Sequence, residues 1–267
     1  MGMAAIYRFD PDSIFSQKHN ESEGQKMTSK EIIKKAKIAS NGNIKLGNMG
    51  TWSTLYGNDS HYVEKLGTNI CGTCGHHCMG CKKDCYVRAS YRYGSVIYGH
   101  AIRTIAIRDY IDELEASLIS QLKRKKKPFE YVRINQSGEI ETLRQLEMFV
   151  NIANETPETD FYLYTKAFDI VIPYLLKNAD VLPKNITILI SVWHEYGIAE
   201  FNQVKHIPNV KAFVYLDGFD YSEYGLEIQT KCNAYEGKKL NHELTCDKCK
   251  KCMNRNEKCK IIGCDAH

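Results

Sequence analysis

The cysteines of this 267-residue chain are concentrated in two places, and this constrains the chain more than any other feature of its sequence. Five of the eleven lie between residues 71 and 85, five lie between residues 246 and 264, and only Cys232 stands apart. The first residues carry no basic segment followed by an apolar one, so we expect no signal peptide and a reducing, cytoplasmic environment. Clustered cysteines in such an environment indicate metal binding rather than disulfides.

The first cysteine group has the spacing of an iron–sulfur site. Its sequence is CGTCGHHCMGCKKDCY, and its cysteines are Cys71, Cys74, Cys78, Cys81 and Cys85. The pattern Cys74-x3-Cys78-x2-Cys81 can hold three corners of a [4Fe-4S] cluster and leave one iron open to a small ligand. The triplet Cys78, Cys81 and Cys85 is an alternative set of ligands.

The second group, the tail cysteines, lies in CDKCKKCMNRNEKCKIIGCDAH at residues 246–267. Cys246-x2-Cys249-x2-Cys252 is the packed triplet of ferredoxin-type sites, in which a more distant residue completes the cluster. The candidates for this fourth ligand are Cys259, Cys264 and His267. Cys232 could complete either site, but we interpret it as a plain buried thiol, because unpaired cysteine is among the residues most often buried.

Zinc is the alternative metal for both groups. A zinc site would use four cysteines of the first group, with His76 or His77 as further candidates, because zinc accepts Cys and His at similar gaps. The doubled two-residue gap of the tail favours a cubane cluster, since zinc sites more often use separated pairs of ligands. Residues 231–267 are too polar for a core of their own, so we expect metal to hold them together.

The middle of the chain alternates between strand and helix patterns. Strand patterns cover residues 129–134, 161–164, 186–192 and 211–216. Helical patterns cover residues 87–127, 141–153, 167–179 and 198–205. Pro173 is expected to kink or break the third helix. The rhythm is typical of βα units around a buried parallel sheet, so we predict an α/β fold, either a partial (βα) barrel or a doubly wound sheet.

The flanking segments carry weaker patterns. Residues 1–43 read as a polar N-terminal extension, with one helix expected from Ser29 as its N-cap through Ala39. Residues 44–70 show no sustained period and predict irregular structure. We divide the chain into this extension, a βα domain over residues 44–230 and a cysteine-rich, metal-binding tail over residues 231–267.

Polar residues follow the predicted strands, where parallel α/β folds gather their chemistry. Lys166 follows the second strand, and His194 and Glu195 follow the third. These three are the candidate catalytic residues. Arg133 lies within the first strand and needs a partner if it is buried.

The order of these motifs resembles the radical S-adenosylmethionine superfamily. The resemblance rests on the cysteine pattern at residues 74–81, followed by a βα series whose first clear strand runs into Ser137, Gly138 and Glu139. Such enzymes usually carry an aromatic residue just before the third cysteine, where this chain has Gly80, and a Gly-Gly-Glu segment where it has Ser-Gly-Glu.

More narrowly, the chain resembles the phage gene product 88 family. The matching segments are KLGNMGTW (45–52), the Cys-Tyr pair at 85–86, RINQSGE (133–139), FYLYTKA (161–167) and the cysteine-rich tail that ends in His267. This resemblance spans about residues 44–267 and implies a phage or mobile-element origin.

The superfamily resemblance implies a function as well as a fold. A partial (βα) barrel of the radical-enzyme type would hold a [4Fe-4S] cluster whose open iron chelates the amino acid end of S-adenosylmethionine. Ser137, Gly138 and Glu139 would bind that cofactor, with Glu139 at its amino group. An electron donor would reduce the cluster to start radical chemistry on an unknown substrate, served by the candidate catalytic residues. A second cluster in the tail would cap or feed the first.

Two other functions fit the sequence. The net charge of +4 and the basic run at residues 123–127 permit a zinc-stapled nucleic-acid-binding protein, with 17 tyrosines available for stacking. A non-catalytic electron-transfer or cluster-carrier protein is the third interpretation. No apolar run approaches the roughly 20 residues of a membrane helix, so we expect no membrane partner.

Overall fold

The computed structural model describes residues 27–40, 44–124, 129–232, 235–236, 239–240, 244–253 and 259–265. The helices in these ranges are α1 (Ser29–Lys35), α2 (Met79–Lys83), α3 (Gly94–Asp109), α4 (Ile111–Arg124), α5 (Leu143–Glu155), α6 (Phe168–Asn178), α7 (Ile198–Val204) and α8 (Cys246–Cys249). The strands are β1 (Ala39–Ser40), β2 (Gly50–Trp52), β3 (Ser60–Val63), β4 (Thr68–Cys71), β5 (Tyr131–Ile134), β6 (Asp160–Thr165), β7 (Ile186–Val192), β8 (Val210–Leu216), β9 (Thr230–Lys231), β10 (Tyr235–Glu236), β11 (Lys239–Leu240) and β12 (Ile261–Asp265).

One large sheet organises the fold. Its strands run in the order β1-β2-β5-β6-β7-β8-β12-β9. The seven strands from β2 to β9 are parallel, and β1 joins β2 in antiparallel pairing at the edge. Helices α5, α6 and α7 connect β5, β6, β7 and β8 in turn. The predicted α/β fold with a parallel sheet is therefore confirmed.

The two faces of this sheet are covered differently. On one face, which we call the helix face, strand residues such as Leu163 and Ile190 pack with buried residues of α1 and α3 to α7. On the other face, which we call the tail face, Leu189 packs instead with Met49 and Met253. The helices thus supply the main core on one side, while segments near the two ends of the chain cover the other side.

The predicted strands and helices correspond closely to βα units in the structure. Strand β7 coincides with its prediction and is buried at every residue, as expected for a central parallel strand. Helix α5 begins after Thr142, whose side-chain oxygen accepts a hydrogen bond from the backbone N–H of Gln145 at 3.2 Å.

The prediction of one continuous helix over residues 87–127 is wrong. Residues Tyr86–Arg92 form a 3₁₀ helix, and the chain leaves helical geometry at Tyr110, between α3 and α4. This break allows α4 to turn its buried leucines, Leu114, Leu118 and Leu122, toward the core independently of α3. Residues 125–128 of the basic run lie outside the described residues.

The break expected at Pro173 is also absent, since α6 continues through that residue. Pro173 is close to the helix start, so its missing N–H costs only the bond to the carbonyl of Asp169 in the first turn. Buried Val171 and Leu175 hold the helix on both sides of the proline.

The N-terminal helix begins one residue earlier than predicted. Thr28, not Ser29, is the N-cap: its hydroxyl accepts from the N–H of Glu31, and the Glu31 carboxylate accepts from the N–H of Thr28. The helix ends at Lys35, and residues 1–26 and 41–43 of the predicted extension lie outside the described residues.

The prediction of irregular structure over residues 44–70 is wrong in part. Strand β2 pairs in parallel with β5 inside the main sheet, and β3 and β4 form an antiparallel hairpin. Three residues are too few to produce a recognisable period, so β2 left no signal in the sequence.

The tail contributes a strand to the main sheet. Strand β12 lies between β8 and β9 and pairs in parallel with both. Its residues Ile261 to Cys264 are buried, so this part of the tail shares the core of the sheet. The domain boundaries at residues 43/44 and 230/231 stay predictions. Within the described ranges, the helices are all too short or too polar to cross a bilayer.

Candidate metal centre

A cavity on the tail face brings together cysteines from both ends of the chain. Its volume is about 170 Å³, and residues of β5 to β8, β12, α2 and α8 contribute to its walls. The cysteines that line it are Cys81, Cys85, Cys232, Cys246, Cys249, Cys252 and Cys264. We call this space the cysteine cavity.

Two cysteines of the first group, Cys81 and Cys85, line the cavity, and Cys74 and Cys78 lie near them outside the lining. Cys78 caps the N-terminus of α2, Cys81 lies within that helix, and Cys85 directly precedes the 3₁₀ helix. Cys74 interacts electrostatically with Cys81 and Cys85, and Cys81 interacts with Cys78 and Cys85. Both predicted triplets of this group therefore fall within one cluster of thiols.

The remaining candidates of the first group have other surroundings. Cys71 is exposed at the end of β4, where its carbonyl accepts a hydrogen bond from Arg108 at 2.9 Å. His76 lies 3.1 Å from the carboxylate of Asp169. The Nδ1 atom of His77 is 2.5 Å from the carbonyl oxygen of Cys74. The structure thus brings neither Cys71 nor these histidines to the cysteine cavity.

The tail cysteines reach the cavity from two elements. Helix α8 carries Cys246 and Cys249, and Cys252 follows it in the adjoining turn. Cys264 enters from β12. Cys259 is partly buried but is not among the residues that line the cavity. His267, the last predicted ligand, lies outside the described residues.

Burial favours the protonated form of several thiols in and beside the cavity. Burial raises the pKa of Cys74 and of Cys252 to about 12, and burial also raises the pKa of Cys81 and Cys246. In the described part of the chain, no three His, Cys, Asp or Glu side chains are already arranged to hold one metal ion. A metal that binds these thiols would therefore displace their protons.

Positive charge surrounds the thiols. The cavity is lined by five cationic residues, Lys45, Arg133, Lys166, Lys250 and Lys251, and by the acidic residue Asp84. Lys250 is paired with Glu130 at 3.0 Å, outside the lining. The lining as a whole is electropositive, so it favours thiolates or another anionic group in the cavity.

Among the cationic residues of the lining, Arg133 is the one whose side chain has a buried donor available to a ligand. Its Nη2 donates to the hydroxyl of Tyr86 at 3.2 Å, and its guanidinium lies 4.6 Å from the centre of the Tyr164 ring. Its Nε is buried and makes no hydrogen bond with any described residue. The side chain therefore has the partner that the sequence required, and it also retains one donor for an acceptor in the cavity.

The strand-end segment Ser137–Glu139 lies beside Cys74 rather than on the cavity wall. Gly138 has φ +83°, and a Cβ on it would collide with the hydroxyl groups of Thr54 and Thr73. The backbone N–H of Glu139 donates to the same Thr73 hydroxyl at 2.9 Å. Only glycine fits this close approach of the segment to the residue before Cys74.

The carboxylate of Glu139 is buried and joins two strand ends. It accepts hydrogen bonds from the N–H of Ile140 at 2.8 Å, the hydroxyl of Thr165 at 2.9 Å and the N–H of Lys166 at 2.7 Å. Burial raises its pKa, although these hydrogen bonds act in the opposite direction. A carboxylate has about four acceptor positions, so one position is left for a ligand.

Lys166 is the predicted catalytic residue that the structure brings to the thiols. It lines the cysteine cavity and interacts with Cys81, and its Nζ lies 5.5 Å from the centre of the Trp193 ring. The Trp193 ring covers Gly80, where an added Cβ would come 2.8 Å from Cε3 of the indole. Trp193 therefore packs its aromatic ring against Gly80, the residue directly before Cys81.

His194 and Glu195 contact residues outside the cysteine cavity. The Nε2 atom of His194 is 2.6 Å from the carboxylate of Asp217, and Glu195 accepts a hydrogen bond from Tyr224 at 3.0 Å. Both are exposed, and neither lines the cysteine cavity. Their assignment as catalytic residues stays a prediction.

Sequence reasoning missed several residues of the cavity. Cys232, Tyr162, Tyr164 and Trp193 all line it. The tyrosines had a detectable signal, since the alternating pattern of β6 places both on the face that carries Arg133, in register with Tyr162. The sequence left both a ligand role and a plain buried thiol open for Cys232, because its proximity to the tail cysteines depends on the pairing of β9 with β12.

The fold and the cavity together define a class: an α/β protein with helices on one face of a parallel sheet and a cysteine-lined cavity on the other. The chain belongs to the gene product 88 family, whose model, described as Gene product 88, matches residues 25–258. This confirms the narrower of the two resemblances. Comparison with curated proteins and with solved structures found no match.

Proposed function

We propose that this protein is an iron–sulfur protein that binds metal in the cysteine cavity through thiolates from both cysteine groups. The observation that carries the proposal is the meeting of seven thiols, from segments far apart in sequence, on one electropositive cavity. Independent structural roles for the two groups would not require them to share a cavity. The fit is supported by the buried Nε of Arg133, a donor that cluster sulfur would satisfy.

The ligands would come from two sets. Cys81, which lines the cavity, would hold a [4Fe-4S] cluster together with the neighbouring Cys78 and either Cys74 or the lining residue Cys85. The tail triplet Cys246, Cys249 and Cys252 would hold a second cluster. When bound, such clusters supply one-electron chemistry and, at an open iron, a position for a small ligand. The chain supplies the thiolates, excludes water and offsets the added negative charge with Arg133 and its neighbouring lysines.

The further step, a radical S-adenosylmethionine enzyme on a partial (βα) barrel, rests on the one-sided placement of the helices. In a (βα) barrel the helices form an outer ring and the inner face carries the site. A doubly wound sheet has its connecting helices on both faces, so the placement of the connecting helices α5, α6 and α7 on the helix face favours the barrel. Glu139 would use its remaining acceptor position for the cofactor amine, and Ser137 and Gly138 would position it.

Lys166 is the best supported of the catalytic candidates, because it reaches both the thiols and a neighbouring open cleft of about 460 Å³. His194 and Glu195 would act only on a substrate that extends beyond the cavity. An electron donor would deliver electrons to the clusters, and the reduced thiols imply a reducing compartment, the host cytosol for a phage-encoded protein.

The second candidate function is a zinc-stapled nucleic-acid-binding protein. It is favoured by the five cationic residues of the cavity lining and by the aromatic rings among them, which could contact phosphates and bases. A non-catalytic electron-transfer or carrier protein would share the clusters and lack a substrate.

The deciding experiment is purification of the full-length chain without oxygen, followed by iron, sulfide and zinc analysis and an absorption spectrum. Iron with equal sulfide and broad absorbance at about 400 nm supports the proposal. Colourless protein with stoichiometric zinc contradicts it in favour of the second candidate. The Cys71→Ser variant, which changes an exposed thiol away from the cavity, should match the parent protein in metal content.

Enzyme and carrier are separated by a second measurement. Reduced protein is incubated with S-adenosylmethionine and assayed for 5′-deoxyadenosine. Formation of that product by the parent protein, with loss in Glu139→Gln, supports the enzyme. Bound clusters without product favour the carrier.

A further inference from the structure

We infer that Cys232 is a metal ligand of the tail site and supplies the fourth thiolate to Cys246, Cys249 and Cys252. This inference rests on the proposed function, and Cys232 replaces Cys259, Cys264 and His267 in the role that their sequence position suggests. Neither the spacing of the tail cysteines nor the family match assigns any role to Cys232.

The backbone holds Cys232 at the tail site. Strand β9 ends at Lys231, and the N–H of Cys232 donates to the carbonyl of Gly263 at 2.7 Å. Because β9 and β12 are parallel neighbours, this bond puts Cys232 beside Cys264. The position is fixed by the main sheet and does not depend on the tail having a fold of its own.

The side chain of Cys232 faces the other thiols. It is hydrogen-bonded to the thiol of Cys264 and interacts electrostatically with Cys246 and Cys252. All of these residues line the cysteine cavity together with Cys249. Five thiols from three separate segments of the chain therefore share one wall of the cavity, and a soft metal site needs four of them.

Cys259 differs from Cys232 in its relation to the cavity. It is not among the residues that line the cavity, although, like Cys252, it packs against the apolar cluster that includes Leu46 and Met49 and interacts with Lys211. The next residue, Lys260, is anchored by hydrogen bonds from its Nζ to the carbonyls of Ile207 and Pro208, at 2.7 and 2.8 Å. Cys232 lines the cavity beside the triplet, so the cavity lining favours Cys232 over Cys259 as the fourth ligand.

The chemistry of the site selects a thiophilic cation or cluster. Four cysteine thiolates suit a [4Fe-4S] cluster or Zn²⁺, and hard cations such as Mg²⁺ and Ca²⁺ prefer oxygen ligands. Cys264 would remain next to the ligand Cys232 as a hydrogen-bonding thiol. This arrangement uses a ligand upstream of the triplet, whereas the sequence suggested one downstream.

The test compares Cys232→Ser with Cys259→Ser in the full-length chain, purified without oxygen from cells supplied with iron and zinc. Total iron and zinc per chain are measured, and circular dichroism checks that each variant is folded. We expect Cys232→Ser to lose the metal of the tail site and Cys259→Ser to keep the parent content. Full metal content in Cys232→Ser would overturn the inference and leave the proposed function standing. A parent protein without metal would overturn both.

A second measurement needs no variant and is independent of folding defects. The native parent protein is treated with iodoacetamide before and after metal removal by a chelator, and each cysteine is mapped by mass spectrometry. We expect Cys232 to be protected until the chelator is added, together with the tail triplet. Alkylation of Cys232 at equal rates in both states would contradict its role as a ligand, and so would a Cys232–Cys264 disulfide in the metal-bound protein.

Discussion

The hydroxyl of Tyr164 donates a hydrogen bond to the Sγ atom of Cys252 across 3.0 Å. The same ring carries the guanidinium of Arg133 on its face, at 4.6 Å from the ring centre. Tyr164 therefore connects a buried cation to one of the proposed ligands. Groups that bond to metal ligands orient them and stabilise their charged form, so this pair offers a direct test of the site.

We expect Tyr164→Phe to weaken metal binding at the tail site by about 10- to 100-fold, the usual effect of losing a hydrogen bond to a ligand. The rate of metal transfer to a chelator measures the change. Tyr162→Phe is the matched control, because the Tyr162 hydroxyl donates to the sulfur of Met49 at 3.9 Å, whereas that of Tyr164 donates to a thiol. Equal effects of the two changes would refute a role for the Tyr164 hydroxyl at the site.

Replacing Arg133 by Met removes a cation from the cavity while keeping an unbranched side chain. At an effective dielectric constant of about 20, a charge about 6 to 12 Å from a thiolate contributes roughly 1–3 kcal/mol, so metal binding should weaken about 10- to 100-fold. The chelator assay used for Tyr164 applies here as well. Arg133→Lys should keep much of the affinity, and Lys123→Met, at a surface pair with Glu155, should keep all of it. A metal affinity unchanged in Arg133→Met would show that the cavity cations do not serve the thiolates.

Gly138→Ala should destabilise the fold by more than backbone strain alone explains. A Cβ at this position would collide with the Thr54 hydroxyl and come 2.6 Å from that of Thr73. Gly218 has a similar positive φ of +97° with open space around it, so Gly218→Ala measures the strain alone, about 1–3 kcal/mol. We expect Gly138→Ala to cost roughly 1–3 kcal/mol more in urea unfolding. Equal losses in the two variants would mean that Thr54 and Thr73 move aside freely.

The stability of the protein should fall as the pH decreases below 6.5. Burial, with a smaller contribution from Arg103, lowers the pKa of His100 from 6.5 to about 3, so between these values the unfolded chain binds a proton that the folded protein does not. The free energy of unfolding then rises with pH, by about 1.4 kcal/mol per pH unit from this residue.

Unfolding in urea at several pH values between 4 and 7 measures this slope. His100→Gln cannot take up the proton, so its slope should be smaller, while a change at exposed His206 should leave the slope as it is. A slope that persists in His100→Gln would assign the acid sensitivity to other groups.

The sequence by itself determined the βα part of the fold. A short, β-branched apolar run such as Ile186–Val192 is typical of a buried strand, and the amphipathic stretches between such runs are typical of helices that cover one face. The sequence also identified the family, because each segment that resembles it is a short run of consecutive residues. Short strands such as β2, the break at Tyr110 and the entry of β12 into the sheet were not readable, since each depends on contacts with distant residues.

The candidate site was likewise determined partly by the sequence and partly by the tertiary structure. The sequence identified ten of the eleven cysteines and the polar residues at strand ends, because cysteine spacing and strand order are local properties. Only the tertiary structure decided that cysteines of both groups share one cavity and that Cys232 joins them. It also decided which predicted residues stay outside the lining: Cys71, Cys74, Cys78, Cys259, His194 and Glu195. The physical reason is that a parallel sheet brings together residues whose separation along the chain carries no information about their distance in space.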